Sequence, residues 1–169
     1  MRKRVLVVDD VSDWRATLRD ILKQIDECEV TTADSYQDAI EVIKNREAEL
    51  AIVDLRLSPT DESDRQGMEL LKLLAEYRIN AIVLTGYPED NLKEEAEEKY
   101  KIFDFIDKGE LAGNFQCLRD LVKEAFSIME VKEKQKKKLI QAASSLQSVS
   151  FPKDLASWPL RNYRKKQIS

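Results

Sequence analysis

Residues 5–10 read Val5-Leu6-Val7-Val8-Asp9-Asp10, four apolar positions that stop abruptly at two carboxylates. A run that is apolar at every position, with no alternation, fits a strand buried on both faces of a parallel sheet. Four further segments share this strand character: Val30 to Ala33, Leu50 to Val53, Ala81 to Leu84 and Phe103 to Ile106. The intervals between them carry helical spacing. Trp14, Leu18, Ile21, Leu22 and Ile25 fall on one helical face, and Ser35 is placed to cap a helix bearing Tyr36, Ala39, Ile40 and Ile43. Met68, Leu71, Leu74 and Ala75 make a third face, and Leu92, Ala96 and Tyr100 a thinner fourth one within the Glu-rich segment 90–100. A fifth begins near Phe115 with Leu118, Leu121, Val122, Ala125, Ile128 and Met129. Five successive βα units predict right-handed crossovers and an α/β, doubly wound, five-stranded parallel sheet with helices on both faces.

The fifth helical pattern runs on past the expected end of the domain. It crosses the Lys-rich stretch 132–138 and resumes with Leu139, Ile140, Ala143 and Leu146, and no Gly or Pro interrupts residues 115–150. A helix from Phe115 to Leu146 is about 48 Å long at 1.5 Å per residue, so it is expected to project into solvent or into a partner. Charge divides the chain at the same point. The formal net charge of −4 averages 18 basic and 30 acidic side chains in residues 1–130 against 10 and 2 in residues 131–169. The expected organisation is therefore a domain over 1–130 followed by a basic helical extension and a Pro/aromatic tail over 131–169, with no separate output domain.

Composition removes several kinds of chemistry. There is no histidine, which excludes a Ser-His-Asp triad, a Cys-His nucleophile pair and any His-based metal site. Two cysteines, Cys28 and Cys117, are too few for a zinc site or a disulfide framework. No apolar stretch approaches the roughly 20 residues that span a bilayer, and the basic first four residues lead into a short strand, not a signal peptide. A cytoplasmic, reducing location with no membrane contact is expected.

The polar residues immediately after the strands are Asp9 and Asp10, Asp54, Thr85 and Lys108. In an open α/β sheet these converge on one edge, where such folds bind their ligands. Carboxylates roughly 5 Å apart repel by about 3 kcal/mol per pair at an effective dielectric near 20. They must therefore bind a cation or shift a pKa. Oxygen ligands with room for water suit Mg²⁺. Carboxylates beside Mg²⁺, with an ammonium and a hydroxyl opposite, form a site for receiving a phosphoryl group on a carboxylate nucleophile.

At these residues the chain resembles the receiver domain of two-component response regulators. Val5 to Asp10, Ile52-Val53-Asp54-Leu55, Val83-Leu84-Thr85-Gly86 and Phe105-Ile106-Asp107-Lys108 match the family's motifs in order, over roughly residues 3–130. The resemblance implies a flavodoxin-like fold with strand order 2-1-3-4-5. It also implies that Asp54 accepts phosphate from a histidine kinase or phosphotransfer protein, so that the chain is a phosphoacceptor and not an enzyme with turnover. Asp10 would ligate Mg²⁺ directly, Asp9 mostly through water, Asp54 as acceptor, and the Arg56 carbonyl would complete the shell. Thr85 and Lys108 would hold phosphoryl oxygens, and Thr85 and Phe105 would act as the switch pair. Three departures from the family stand out. The segment between Asp54 and Gly67 is several residues longer than usual, with Pro59 displaced by one. Gly109 replaces the proline that follows the lysine, so the family's cis peptide bond there is not expected. Arg56 and Tyr87 occupy the positions two after the acceptor Asp and two after the Thr, and are expected to shield an acyl phosphate from water.

Plainer readings stand beside these. Phe105 alone reads as a core residue, and Thr85 alone as a turn hydroxyl. A phosphatase with a strand-end Asp needs a second Asp two residues on, where this chain has Arg56. A dinucleotide site needs a Gly-rich turn where Asp9 and Asp10 stand. The Lys-rich run 132–138 reads as a solvated helix face in preference to a nucleic-acid contact, since no helix-turn-helix pattern accompanies it. Leu139, Ile140, Ala143 and Leu146 suggest helix pairing, in a homodimer or with a downstream protein target. Phe151, Leu155, Trp158, Leu160 and Tyr163 read equally as a docking segment or as a tail folding back. The expected output is thus a protein–protein interaction. The alternatives are a receiver-fold scaffold or dimerisation module that is never phosphorylated, and a fragment of a larger regulator with an output domain beyond Ser169.

Overall fold

Five parallel strands in the order β2-β1-β3-β4-β5 form the sheet of the computed structural model, which describes residues 3–58, 61 and 64–147. In chain order the elements are β1 (Lys3–Val8), α1 (Ser12–Leu22), β2 (Cys28–Ala33), α2 (Tyr36–Lys44), β3 (Leu50–Val53), α3 (Gln66–Tyr77), β4 (Asn80–Thr85), α4 (Asp90–Tyr100), β5 (Asp104–Asp107), α5 (Lys108–Leu111) and α6 (Phe115–Gln147). The chain divides into two units, Met1–Ile128 and Met129–Ser169.

The apolar runs do what their pattern dictates in the middle of the sheet. Val5 to Val8 and Leu50 to Val53 are wholly buried, because helices cover both faces of these strands. Leu6, Val8, Ala51, Val53 and Val83 pack with Leu70, Leu71 and Leu74 of α3. Their neighbours along the strands point the opposite way, and Val7, Ile52 and Ile82 are buried as well, as are Leu18, Leu22, Leu118, Val122 and Phe126.

The outer strands differ from expectation. β2 starts at Cys28, two residues before the predicted run, and alternates half-buried with exposed positions up to the buried Ala33 because it is the sheet edge. β5 is shifted one residue later than predicted, to Asp104–Asp107, and is only partly buried for the same reason. Between β5 and the last helix lies the extra turn α5, so the fifth unit is not a simple strand-to-helix step. Asp107 caps this turn, its carboxylate accepting from the Gly109 N–H at 2.7 Å. All peptide bonds among the described residues are trans.

Register sets the site. Val8 pairs with Ala33 and Val53, Val53 pairs with Val83, and Thr85 pairs with Asp107. Asp9, Asp54 and Lys108 each follow directly on such a strand end, and so leave the sheet at the same edge. α2 begins on the predicted cap, Ser35, whose Oγ accepts from the Asp38 N–H at 3.3 Å. α6 continues unbroken through the Lys-rich run. Up to Phe126 it buries Leu118, Val122, Ala125 and Phe126, whereas residues 131–145 are all exposed. No helix among the described residues is long and apolar enough to cross a membrane. The tail from Phe151 to Tyr163 lies outside the described residues.

Candidate functional site

The strand-end residues come together. One carboxylate oxygen each from Asp9, Asp10 and Asp54 lies within 4.8 Å of the others. Lys108 extends its ammonium between two of them, 2.6 Å from Asp9 Oδ2 and 2.5 Å from Asp54 Oδ2. Asp9, Asp54 and Lys108 are buried, and Asp10 is partly exposed.

The three carboxylates are not equivalent. Asp9 has both oxygens engaged, since Oδ1 also accepts from the Val11 N–H at 3.0 Å. That bond ties down Val11, the residue before α1, which itself has no side-chain acceptor to cap the first-turn N–H groups. Asp54 Oδ1 accepts from the Arg56 N–H at 3.3 Å. The Asp10 carboxylate makes no hydrogen bond or ion pair with the described residues and faces a cavity of about 420 Å³. Burial pushes the Asp9 carboxyl above its ordinary value, and the nearby Asp54 charge adds to this, while Lys108 works against it. Burial likewise opposes the charge on Lys108, but Asp54 and Asp9 outweigh it and hold the ammonium above the usual lysine value. One ammonium thus pairs with two of the three carboxylates, and the third, Asp10, has no ion pair among the described residues.

Asp54 is fixed from behind by Gly67 at the start of α3. A Cβ on Gly67 would fall 2.5 Å from the Asp54 carbonyl oxygen and 2.6 Å from that of Leu55. Only glycine lets α3 approach so closely. The longer β3–α3 connection is tied at its end by Asp64, whose carboxylate accepts from the N–H groups of Leu57 (2.7 Å) and Gln66 (2.9 Å). The displaced Pro59 lies outside the described residues.

Thr85 is fully buried, and its hydroxyl oxygen accepts from the Tyr87 N–H at 3.3 Å. Arg56 stacks over the Tyr87 ring at 4.0 Å, and both residues line the cavity above Asp54. Phe105 is half-buried against the core and is not a wall of that cavity; Lys93 Nζ stands 6.0 Å from its ring.

Two residues of α1 belong to the site although the pattern does not announce them. Trp14 reads from its spacing as the first core residue of α1, but it is only half-buried and lines the cavity, its ring 5.2 Å from Lys108 Nζ. Arg15 reaches back to the carbonyls of Asp9 and Asp10. The available signal is position. Both lie within one helical turn of the α1 start, and that start directly follows the Asp pair.

The family described as response regulator receiver domain matches residues 5–117. No curated protein is matched in sequence. Among solved structures, a CheY-like response regulator receiver domain protein from Methanospirillum hungatei is 25% identical, with 78% of this chain and 99% of that one covered and a TM-score of 0.66. The signal receiver domain of an HD domain-containing protein from Pseudomonas fluorescens is 21% identical, covering 78% and 99%, with a TM-score of 0.63. A Burkholderia pseudomallei response regulator, solved with a phosphorylated aspartic acid and a calcium ion, is 22% identical, covering 79% and 74%, with a TM-score of 0.60. The last two establish likeness of fold.

Proposed function

This chain belongs to the response regulator receiver family, and on that premise we propose that it accepts one phosphoryl group on Asp54 from a phosphohistidine of a histidine kinase or phosphotransfer protein. The observation that carries this reading is the buried Lys108 ammonium at 2.5 Å from Asp54, inside a set of carboxylates that it cannot neutralise alone. An Asp54 carboxylate oxygen attacks phosphorus as the phosphorus–nitrogen bond of the donor breaks, and the leaving imidazole keeps the electron pair and takes a proton from solvent. The chain is then a stoichiometric acceptor, one acyl phosphate per Asp54.

The donor set suits a hard divalent cation that keeps some of its waters, which describes Mg²⁺. Asp10 is the direct ligand in this reading, since its carboxylate is unengaged. Asp9, with both oxygens already engaged, contributes through water. Asp54 and the Arg56 carbonyl complete the set. Mg²⁺ supplies positive charge against the phosphoryl oxygens when it is bound. Lys108 exchanges a carboxylate contact for a phosphoryl oxygen, and the Thr85 hydroxyl takes another. A pull on Thr85 moves the β4–α4 connection through the Tyr87 N–H, and Phe105 repacks with it.

The output in this reading is contact with another protein, a second copy or a downstream target. Val131, Leu139 and Ile140 support it, as large apolar residues left exposed along α6. Light scattering of the full chain with and without phosphodonor should show a change in assembly.

The stacked Arg56 and Tyr87 shield the acyl phosphate. The double variant Arg56→Asn, Tyr87→Glu is expected to lose phosphate faster after the donor is removed; an unchanged decay rate would sink the shielding role. The acceptor reading itself is tested by chelation: labelling from a small phosphodonor should require Mg²⁺ and stop with EDTA. Labelling that ignores EDTA would contradict it.

A further inference from the structure

Strand pairing of β1 ends at Val8, so the carbonyls of Asp9 and Asp10 lie beyond its ladder. Both are taken by one side chain. Arg15 Nη1 donates to the Asp9 carbonyl oxygen at 2.7 Å and to the Asp10 carbonyl oxygen at 2.9 Å. Its other terminal nitrogen, Nη2, stands 3.8 Å from Asp34 Oδ2, just after β2. The side chain is only 19% exposed, and the Arg15 backbone N–H donates to the carbonyl of Val11, the residue before α1. The guanidinium therefore links α1, the β1–α1 turn and the end of β2 through the peptide that joins the two carboxylates.

We infer that Arg15 is a positioning residue for the divalent cation: it fixes the Asp9–Asp10 backbone so that the Asp10 carboxylate faces Asp54 without itself touching the ion. The inference rests on the cation reading given above. It also runs against simple electrostatics, which makes it testable. A guanidinium beside a dication site repels the cation, so by charge alone removing Arg15 would tighten binding. A residue that orients a ligand's backbone acts the other way, and loss of such a partner typically costs about 10–100-fold in metal affinity. Lysine separates the two effects. It keeps the charge and three N–H donors, but it has a shorter reach and lacks the second terminal nitrogen that faces Asp34 while Nη1 holds the two carbonyls.

The experiment is a calorimetric titration of the full-length chain with Mg²⁺ alone, for wild type, Arg15→Lys and Arg15→Gln. Wild type should bind, and both variants should bind about 10-fold more weakly or worse. Labelling of Arg15→Lys by a small phosphodonor should fall at low Mg²⁺ and return to the wild-type rate at saturating Mg²⁺, which also shows that the variant is folded. An unchanged affinity for Arg15→Lys, or a tighter one for Arg15→Gln, would reduce Arg15 to a local charge and overturn the inference. A labelling rate that stays low at saturating Mg²⁺ would overturn it as well. Absence of Mg²⁺ binding by wild type would instead remove the cation reading, and the inference with it.

Discussion

β1 and β3 carry an ion pair at each end, and the two pairs are built differently. At the amino ends, Glu49 meets Arg4 one to one: Oε1 accepts from Nε at 3.1 Å and from Nη2 at 2.8 Å, and Oε2 accepts from the Arg4 backbone N–H at 2.9 Å. The Arg4 side chain is 38% exposed and that of Glu49 is 22% exposed. At the carboxyl ends, Asp9 and Asp54 share Lys108 while Asp10 stands nearby, and the three bonded groups are almost fully buried. The first arrangement is matched and half-solvated. The second is crowded and mostly buried, with one ammonium shared between two carboxylates and a third left unpaired beside a cavity. A fold has no structural reason to bury an excess of carboxylates, since the desolvation cost is large and a matched or apolar set would be more stable. The contrast separates a structural pair from a site kept for what it binds.

The strongest way to break the contrast is to remove its one cation. Lys108→Met leaves Asp9 and Asp54 buried without a counter-ion and should lower stability at neutral pH by about 3 kcal/mol, read from urea unfolding without metal. The lysine pKa is raised in the folded state, so its contribution is full below the ordinary value of 10.5 and is lost as pH rises through the raised one. The gap between wild type and variant should therefore close in strong alkali. A gap that is absent at neutral pH would mean that solvent already screens these carboxylates.

Asp9→Asn should move stability the other way. Burial raises the Asp9 pKa, so the stability linked to its protonated form is full below the ordinary 3.8 and is lost as pH rises through the folded value. Asparagine escapes that loss. In metal-free buffer the variant should melt above wild type at neutral pH and lose that advantage in acid, while added Mg²⁺ should favour wild type. A variant that melts lower without metal would place Asp9 with the structural pair. The smallest effect is expected at the amino ends, where Glu49→Ala should cost no more than about 1 kcal/mol, less in high salt, and leave labelling unchanged. Slowed labelling there would blur the distinction between the two ends.

Much of this was legible because the site is made of strand ends. Asp9, Asp10, Asp54, Thr85 and Lys108 each follow an apolar run, and parallel register then brings them to one edge. What the sequence hides depends on direction and exposure. Trp14 keeps perfect helical spacing with Leu18 and Ile21, yet at the first turn of α1 it lines the cavity and stands beside Lys108, and spacing cannot tell the two apart. Arg15 looks like any helix-surface arginine until its reach to two carbonyls is seen. The edge strands β2 and β5 shifted because one side of each lacks a neighbour, which loosens the demand for apolar residues. The α5 turn rests on one capping carboxylate, Asp107, in a segment too short to show any period.

The central claim is that the crowded end exists to phosphorylate Asp54. Intact-mass measurement after incubation with Mg²⁺ and a small phosphodonor tests it most directly. Wild type should gain about 80 Da, the mass of one phosphoryl group, and Asp54→Ala should gain nothing. A wild-type mass that does not change, or an equal gain in Asp54→Ala, would contradict the account.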